Sequence, residues 1–257
     1  MSPVVALLSD FGTRDPYVAQ MKGTILERCP AAQLVDVTHE VAPGDVIEAA
    51  WHLACAWRFL PAGTVFLCVV DPEVGTTRRA VAMESDGRRG VGPDNGLFGL
   101  VAERASTHAV ELTRSEHWRG DPSHTFWGRD VFAPVAALLA QGAPLAYVGD
   151  PIGEIRALGF PRAQLHDDGR VTGSVIHVDR FGNVITNVPA ELAAASRSLE
   201  IASTTVALRV HTYHEAPPGE LVFLVNSAGH VEVALRDGHA GARLGVTRGE
   251  PVELAAG

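Results

Sequence analysis

Three short apolar runs, each delivering an aspartate, constrain this chain more than any other feature of its sequence. Val4–Leu8 leads into Ser9-Asp10, Gln33–Val37 carries Asp36, and Thr64–Val70 stops at Asp71. Short, continuous, partly β-branched runs suit strands buried on both faces of a parallel sheet. Helical stretches lie between them. Tyr17–Arg28 has apolar side chains at 17, 18, 21, 25 and 26, and Pro43-Gly44-Asp45 opens a strongly apolar helix through Leu60 with Asp45 as its N-cap. Alternation at this spacing marks a parallel α/β sheet. Ligands of such sheets bind beyond the carboxyl ends of the strands, where Asp10, Asp36 and Asp71 fall.

Further strand is expected at Ala80–Glu84 and Gly90–Gly92, closed by the turn Pro93-Asp94-Asn95-Gly96, with helices over Leu97–Ala105 and Val131–Gln141. Composition then shifts. Pro161–Gly169, with its Pro, Gly and adjacent acids Asp167 and Asp168, reads as a linker. Beyond it helix signals nearly vanish, and Thr172–Val178, Val184–Val188, Thr205–His211, Glu220–Leu224 and His230–Leu235 read as strands of a small sandwich or barrel. The expected fold class is α/β. Residues 1–160 form an N-terminal, mostly parallel sheet flanked by helices, and residues 170–257 a smaller all-β, barrel-like domain.

The whole-chain numbers exclude several functions. A net charge of -9 over 257 residues, without a basic cluster, argues against nucleic-acid binding, which depends on Lys and Arg contacts to phosphate. Cys29, Cys55 and Cys68 are widely spaced and odd in number, which points to reduced thiols in a cytoplasmic protein rather than to disulfides or zinc. No signal peptide is evident, and no apolar run approaches the roughly 20 residues of a membrane span.

Three acids at one sheet edge could bind a divalent metal, position a ribose, or cap the next helix. Asp36 is the structural member of the set, because Thr38 and His39 beside it give turn chemistry without a target. The eleven histidines are scattered, and His211-x-x-His214 lies in an expected loop, so no metal site is expected. Dinucleotide and phosphate loops and the nucleophile elbow of α/β-hydrolases are missing. What stands out is Asp71-Pro72-Glu73-Val74-Gly75-Thr76-Thr77-Arg78-Arg79. A turn at Gly75 would fold Arg78 back on Asp71, giving either a carboxylate poised beside a guanidinium or a simple loop salt bridge. In the second half, Asp179-Arg180-Phe181-Gly182-Asn183 offers an exposed ring and an amide able to pair with an adenine edge. A plain hairpin turn with Gly182 at positive φ explains the same residues.

SDFGT at 9–13, DVTH at 36–39, DPEVGTTRR at 71–79, PDNG at 93–96, GRDVFAP at 128–134, DRFGNVITN at 179–187 and NSAGH at 226–230 occur in one order over nearly the whole chain. In this the sequence resembles the S-adenosyl-L-methionine (SAM) hydroxide adenosyltransferases, or SAM hydrolases, relatives of the fluorinase and chlorinase. The resemblance implies an α/β domain followed by a β-domain, and hydrolysis of SAM to adenosine and methionine by in-line attack at the 5′ carbon. It implies no metal and no cofactor, SAM being the substrate. It also implies a homotrimer that holds SAM between one subunit's N-domain and its neighbour's C-domain.

Residue by residue, the resemblance makes Asp10 the acid that grips the ribose hydroxyls, and Asp71 and Arg78 the water-activating pair. Asp179 and Ser227 would hold the methionine part, and Asn183 with a stacking Phe181 would read adenine. Tyr17, Trp127 and Glu232 are placed with the substrate-binding residues. A carboxylate at Asp71 favours water over halide, since two anions in a low-dielectric pocket repel by several kcal/mol. One position departs. The family carries His in a T-F-H-G-R-D context where this chain has Trp127, whose indole is only a donor. His124 is the expected substitute, unless the histidine is dispensable. A SAM-dependent halogenase and a non-catalytic SAM or adenosine sensor are the alternatives.

Overall fold

The computed structural model describes residues 2–256 and makes the three aspartate-bearing runs adjacent parallel strands. β1 (Val4–Ser9) lies between β2 (Gln33–Thr38) and β3 (Val65–Val69), with α1 (Tyr17–Arg28) and α2 (Val46–Trp57) as the crossovers. Side chains alternate along each strand. Val5, Leu7, Val65, Leu67 and Val69 pack with Met21 and Ile25 of α1. Ala6, Leu8, Phe66, Cys68 and Val70 pack on the other face with Leu53 and Trp57 of α2. The crossovers therefore leave on opposite faces, and the gap between the carboxyl ends of β1 and β3 is a topological switch point. Asp45 caps α2 as expected, accepting from the Glu48 amide at 2.9 Å.

Beyond β3 the sheet changes character. β4 (Ala80–Ser85), β5 (Arg88–Pro93), β6 (Thr107–Glu111) and β7 (Asp150–Ile152) complete the order β2-β1-β3-β5-β4-β6-β7. Pairing is parallel from β2 to β5 and antiparallel from there to β7. The switch follows from the turn joining β4 to β5. Asp86 and Gly87 both take positive φ, 49° and 68°, which makes a two-residue hairpin, and a hairpin can only be antiparallel. The helix expected over Leu97–Ala105 is a single turn, α3 (Gly99–Ala102), because the chain must turn at once into β6. The helix expected from Val131 starts earlier as one π turn, Gly128–Phe132, and continues as α4 (Ala133–Ala140). Pro134 has no N–H to offer the Asp130 carbonyl, which accepts from the Arg119 amide at 2.8 Å instead.

The chain divides into two compact units, Met1–Phe160 and Pro161–Gly257. In the second, β8 (Gln164–Leu165) falls inside the expected linker and pairs with β9 (Val171–Val178). With β10 (Val184–Pro189), β11 (Ser196–Ile201), β12 (Thr204–Val206), β13 (Leu221–Val225), β14 (His230–Leu235) and β15 (Pro251–Ala256), it forms a sheet ordered β12-β11-β15-β9-β10-β14-β13. Val171, Val175, Val184, Leu199, Val233 and Leu254 build its core. The strand expected over Thr205–His211 is broken, because β12 stops at Val206 and the chain crosses to a new partner. There Phe223 N donates to Leu208 O at 3.0 Å and Val210 N to Phe223 O at 3.1 Å. That crossing nearly closes the sheet into a barrel. β11 and β15 carried no clear signal: serines dilute the alternation of the first, and Pro251 opens the second. Among the described residues no helix is long and apolar enough to cross a membrane.

Candidate active site

A cavity of about 410 Å³ opens at the switch point, and its lining includes Asp10, Phe11, Gly44, Asp71, Phe126 and Trp127. β1 and β3 are in register up to Ser9 opposite Val69, so their ends bring Asp10 and Asp71 to the same crevice. Asp10 is half-buried, and Gly44 N donates to its Oδ2 at 2.8 Å. Burial raises the Asp10 carboxyl above its ordinary value. The Gly44 bond opposes that rise, and the negative charge of Asp71 adds to it.

Asp71 lies just past β3, where the backbone reverses. Val74 N donates to Asp71 O at 3.3 Å, and Gly75 takes a φ of 80°. A Cβ at Gly75 would stand 3.0 Å from the His124 carbonyl oxygen, so the position suits glycine on both conformation and space. The reversal returns Arg78 to Asp71. Nε donates to Oδ1 at 2.8 Å and Nη2 donates to Oδ2, a bidentate pair with side chains only 3% and 6% exposed. The guanidinium carbon lies 4.7 Å from the Trp127 ring centroid and 5.4 Å from that of Phe132, so two aromatic rings also hold the cation. The Pro93–Gly96 turn pins this loop at both ends. Asn95 Nδ2 donates to Val70 O at 2.8 Å, and Arg79 Nε donates to Asp94 Oδ2 at 2.7 Å. The salt bridge read from the sequence is present, and its acid faces a cavity.

Other expected residues fall elsewhere. Asp36 sits within β2 opposite Leu7, outside the cavity lining, bonded to Lys22 at 2.7 Å and to His39 at 3.0 Å. His124 is exposed and does not line the cavity, whereas Trp127 does. Tyr17 borders an adjoining depression with Gln20 and Arg129. Its ring centroid lies 5.6 Å from Phe11 and 5.4 Å from Phe126. Phe11, Phe126 and Phe132 escape a search for polar catalytic side chains, although each lies within or beside a motif that the sequence marks by its polar residues. An apolar ring within such a motif is the available signal.

In the second unit the Asp179–Asn183 loop is a tight hairpin between β9 and β10. Asp179 Oδ1 accepts from the Phe181 and Asn183 amides, each at 2.9 Å, and Oδ2 accepts from Asn183 Nδ2 at 3.2 Å. Gly182 takes a φ of 86°, and a Cβ there would lie 2.2 Å from the His239 ring. This leaves Phe181 77% exposed at the tip. Ser227 is exposed in the β13–β14 turn, where Asn226 Oδ1 accepts from the Ala228 and His230 amides. The β10–β14 register sets the first loop beside the Val184–Val233 pair and the turn beside Pro189–His230, with Glu232 between. Glu232 is buried and accepts from Tyr213 Oη at 2.7 Å. Burial raises its carboxyl, against hydrogen bonds from Tyr213 and Asn226.

Known proteins share both halves of this chain. Residues 5–149 match the model of the SAM hydroxide adenosyltransferase N-terminal domain, and residues 173–253 that of its C-terminal domain. A protein of Salinispora tropica named (R)-S-adenosyl-L-methionine hydrolase is 42% identical, over 100% of this chain and 99% of its own. One of the same name from Thermus thermophilus is 41% identical over 99% of this chain and 100% of its own. A fluorinase of an Actinoplanes species is 33% identical over 73% of this chain and 72% of its own. The crystal structure of an uncharacterized conserved protein from Thermotoga maritima superposes with a TM-score of 0.92 at 35% identity, covering 98% of this chain and 99% of the other.

Proposed function

Because the chain belongs to the SAM hydroxide adenosyltransferase family, we propose that it hydrolyses S-adenosyl-L-methionine to adenosine and L-methionine. Water attacks the 5′ carbon in line with the sulfonium. The C5′–O bond forms as the C5′–S bond breaks, sulfur takes the electron pair to become the neutral thioether of methionine, and the water's proton passes to a base. The leaving group is already activated, so orientation of the water supplies much of the remaining acceleration. The observation that carries this reading is the Asp71–Arg78 pair on the wall of the switch-point cavity. A carboxylate there orients water and accepts its proton, and it repels a halide.

The individual roles are our assignments. Asp71 is the base, Arg78 holds it in place, and Asp10 grips the ribose hydroxyls. Trp127 walls the cavity beside Arg78, and Tyr17 lines the adjoining depression. Asp179 and Ser227 take the methionine part, Phe181 and Asn183 the adenine, and Glu232 braces the Asn226 turn. His124 is left without a role, its exposed position giving no support for one. We further propose that no metal or cofactor takes part, since the Arg78 guanidinium already supplies the positive charge beside the Asp71 carboxylate. A cytoplasmic location suits three free thiols, of which burial pushes Cys55 up to about 11. Family membership supports a homotrimer with shared sites.

Purified protein incubated with SAM should yield adenosine and methionine on chromatography, with or without a chelator. Formation of 5′-chloro-5′-deoxyadenosine in chloride would make it a halogenase, and SAM binding without product over hours would make it a sensor.

A further inference from the structure

Outside the cavity lining, a chain of side chains runs from the surface to the loop that carries Asp10. Lys22 Nζ donates to Asp36 Oδ2 at 2.7 Å, and His39 Nε2 meets Asp36 Oδ1 at 3.0 Å. His39 Nδ1 lies 2.7 Å from Ser9 Oγ, and Phe11 N donates to that same oxygen at 3.4 Å. An acceptor-only carboxylate at Nε2 places the ring proton there, so Nδ1 accepts from the Ser9 hydroxyl. The direction of every bond follows, from Phe11 through Ser9 and His39 to Asp36. A second link ties His39 to the same loop, as Gly12 N donates to His39 O at 2.7 Å. Asp10 is thus flanked on both sides by residues that His39 holds.

The residue types are those of a Ser–His–Asp triad, but Ser9 is 0% exposed and His39 only 4%. A nucleophile that no substrate can reach performs no attack. Satisfied polar chains in a low-dielectric interior instead fix geometry, because each misplaced member leaves a buried group unpaired.

We infer that Asp36, His39 and Ser9 form a positioning relay that sets the Asp10 carboxylate, and with it the enzyme's affinity for the ribose hydroxyls of its substrate. The inference rests on the assignment of Asp10 to the ribose. Gly44 N bonds the Asp10 carboxylate itself, while the relay fixes the backbone on either side of it.

The test is calorimetric titration of the full-length protein with adenosine and with 2′,3′-dideoxyadenosine. Hydrogen bonds to a charged group are worth about 10- to 100-fold in affinity, and the parent protein should prefer adenosine by that order. His39→Leu and Ser9→Ala should bring the preference below about threefold while leaving dideoxyadenosine affinity unchanged. His39→Asn, whose amide oxygen replaces Nδ1 as acceptor, should recover part of it. Variants that remain selective would overturn the relay alone, as would an equal loss for both ligands, which reports general disorder. An unselective parent protein would overturn the Asp10 assignment and the relay with it. Should His39→Leu fail to fold, Ser9→Ala carries the test, since it removes one oxygen and leaves the ring in place.

Discussion

At the scale of single residues, the fold holds Asp10 against its own electrostatics. Burial first, and the Asp71 charge after it, raise the Asp10 carboxyl. The folded state therefore prefers the protonated acid, and ionised Asp10 destabilises the protein at every pH above that raised value. The penalty fades below the ordinary carboxylate pKa of about 3.9. Asp10→Asn is expected to raise the melting temperature at pH 7, with the gain vanishing near pH 3, while ribose-dependent binding is lost. Scanning calorimetry at the two pH values decides it, and an unchanged or lower melting temperature at pH 7 would refute it. Asp71→Asn is expected to behave differently. Turnover should fall about 10²- to 10⁴-fold, the usual contribution of a positioned base, with SAM affinity largely kept. A variant that retained full turnover would remove Asp71 from the mechanism.

At the scale of elements, two glycines separate helix preference from sheet packing. Gly23 lies inside α1, and a Cβ added there would meet nothing within 4 Å, so Gly23→Ala should stabilise by about 0.5–1 kcal/mol. Gly92 lies in β5 beside β3, where a Cβ would stand 2.2 Å from the Cys68 carbonyl oxygen. Neither backbone can retreat without breaking the parallel pairing of β3 with β5, so Gly92→Ala should lower the melting temperature sharply. Denaturant titration of both variants reads the two opposite signs. The bounds of α1 were legible because its apolar spacing lies within one short segment. The π turn at Gly128–Phe132 was not, because Arg119 draws off the Asp130 carbonyl from eleven residues upstream.

At the scale of the whole molecule, the proposed homotrimer predicts a sedimenting species of three times the chain mass, and specific activity that falls on dilution as subunits part. A monomer with undiminished activity would refute shared sites. The sequence by itself determined the layered N-terminal half: β1, β2, β3, α1, α2 and the Asp45 cap follow from residue spacing and local hydrogen bonding. It also determined that Asp10 and Asp71 stand at strand ends, since each closes an apolar run. Only the tertiary structure decided the rest. Arg78 packs against Trp127 and Phe132, about fifty residues away in the chain, and His39 turns back thirty residues to Ser9. The β-domain closes where residues 208–210 leave β11 for Phe223. Periodicity and capping act over one or two turns of chain, so neighbours reveal them. The direction a side chain takes is set by partners brought together only when the sheet forms.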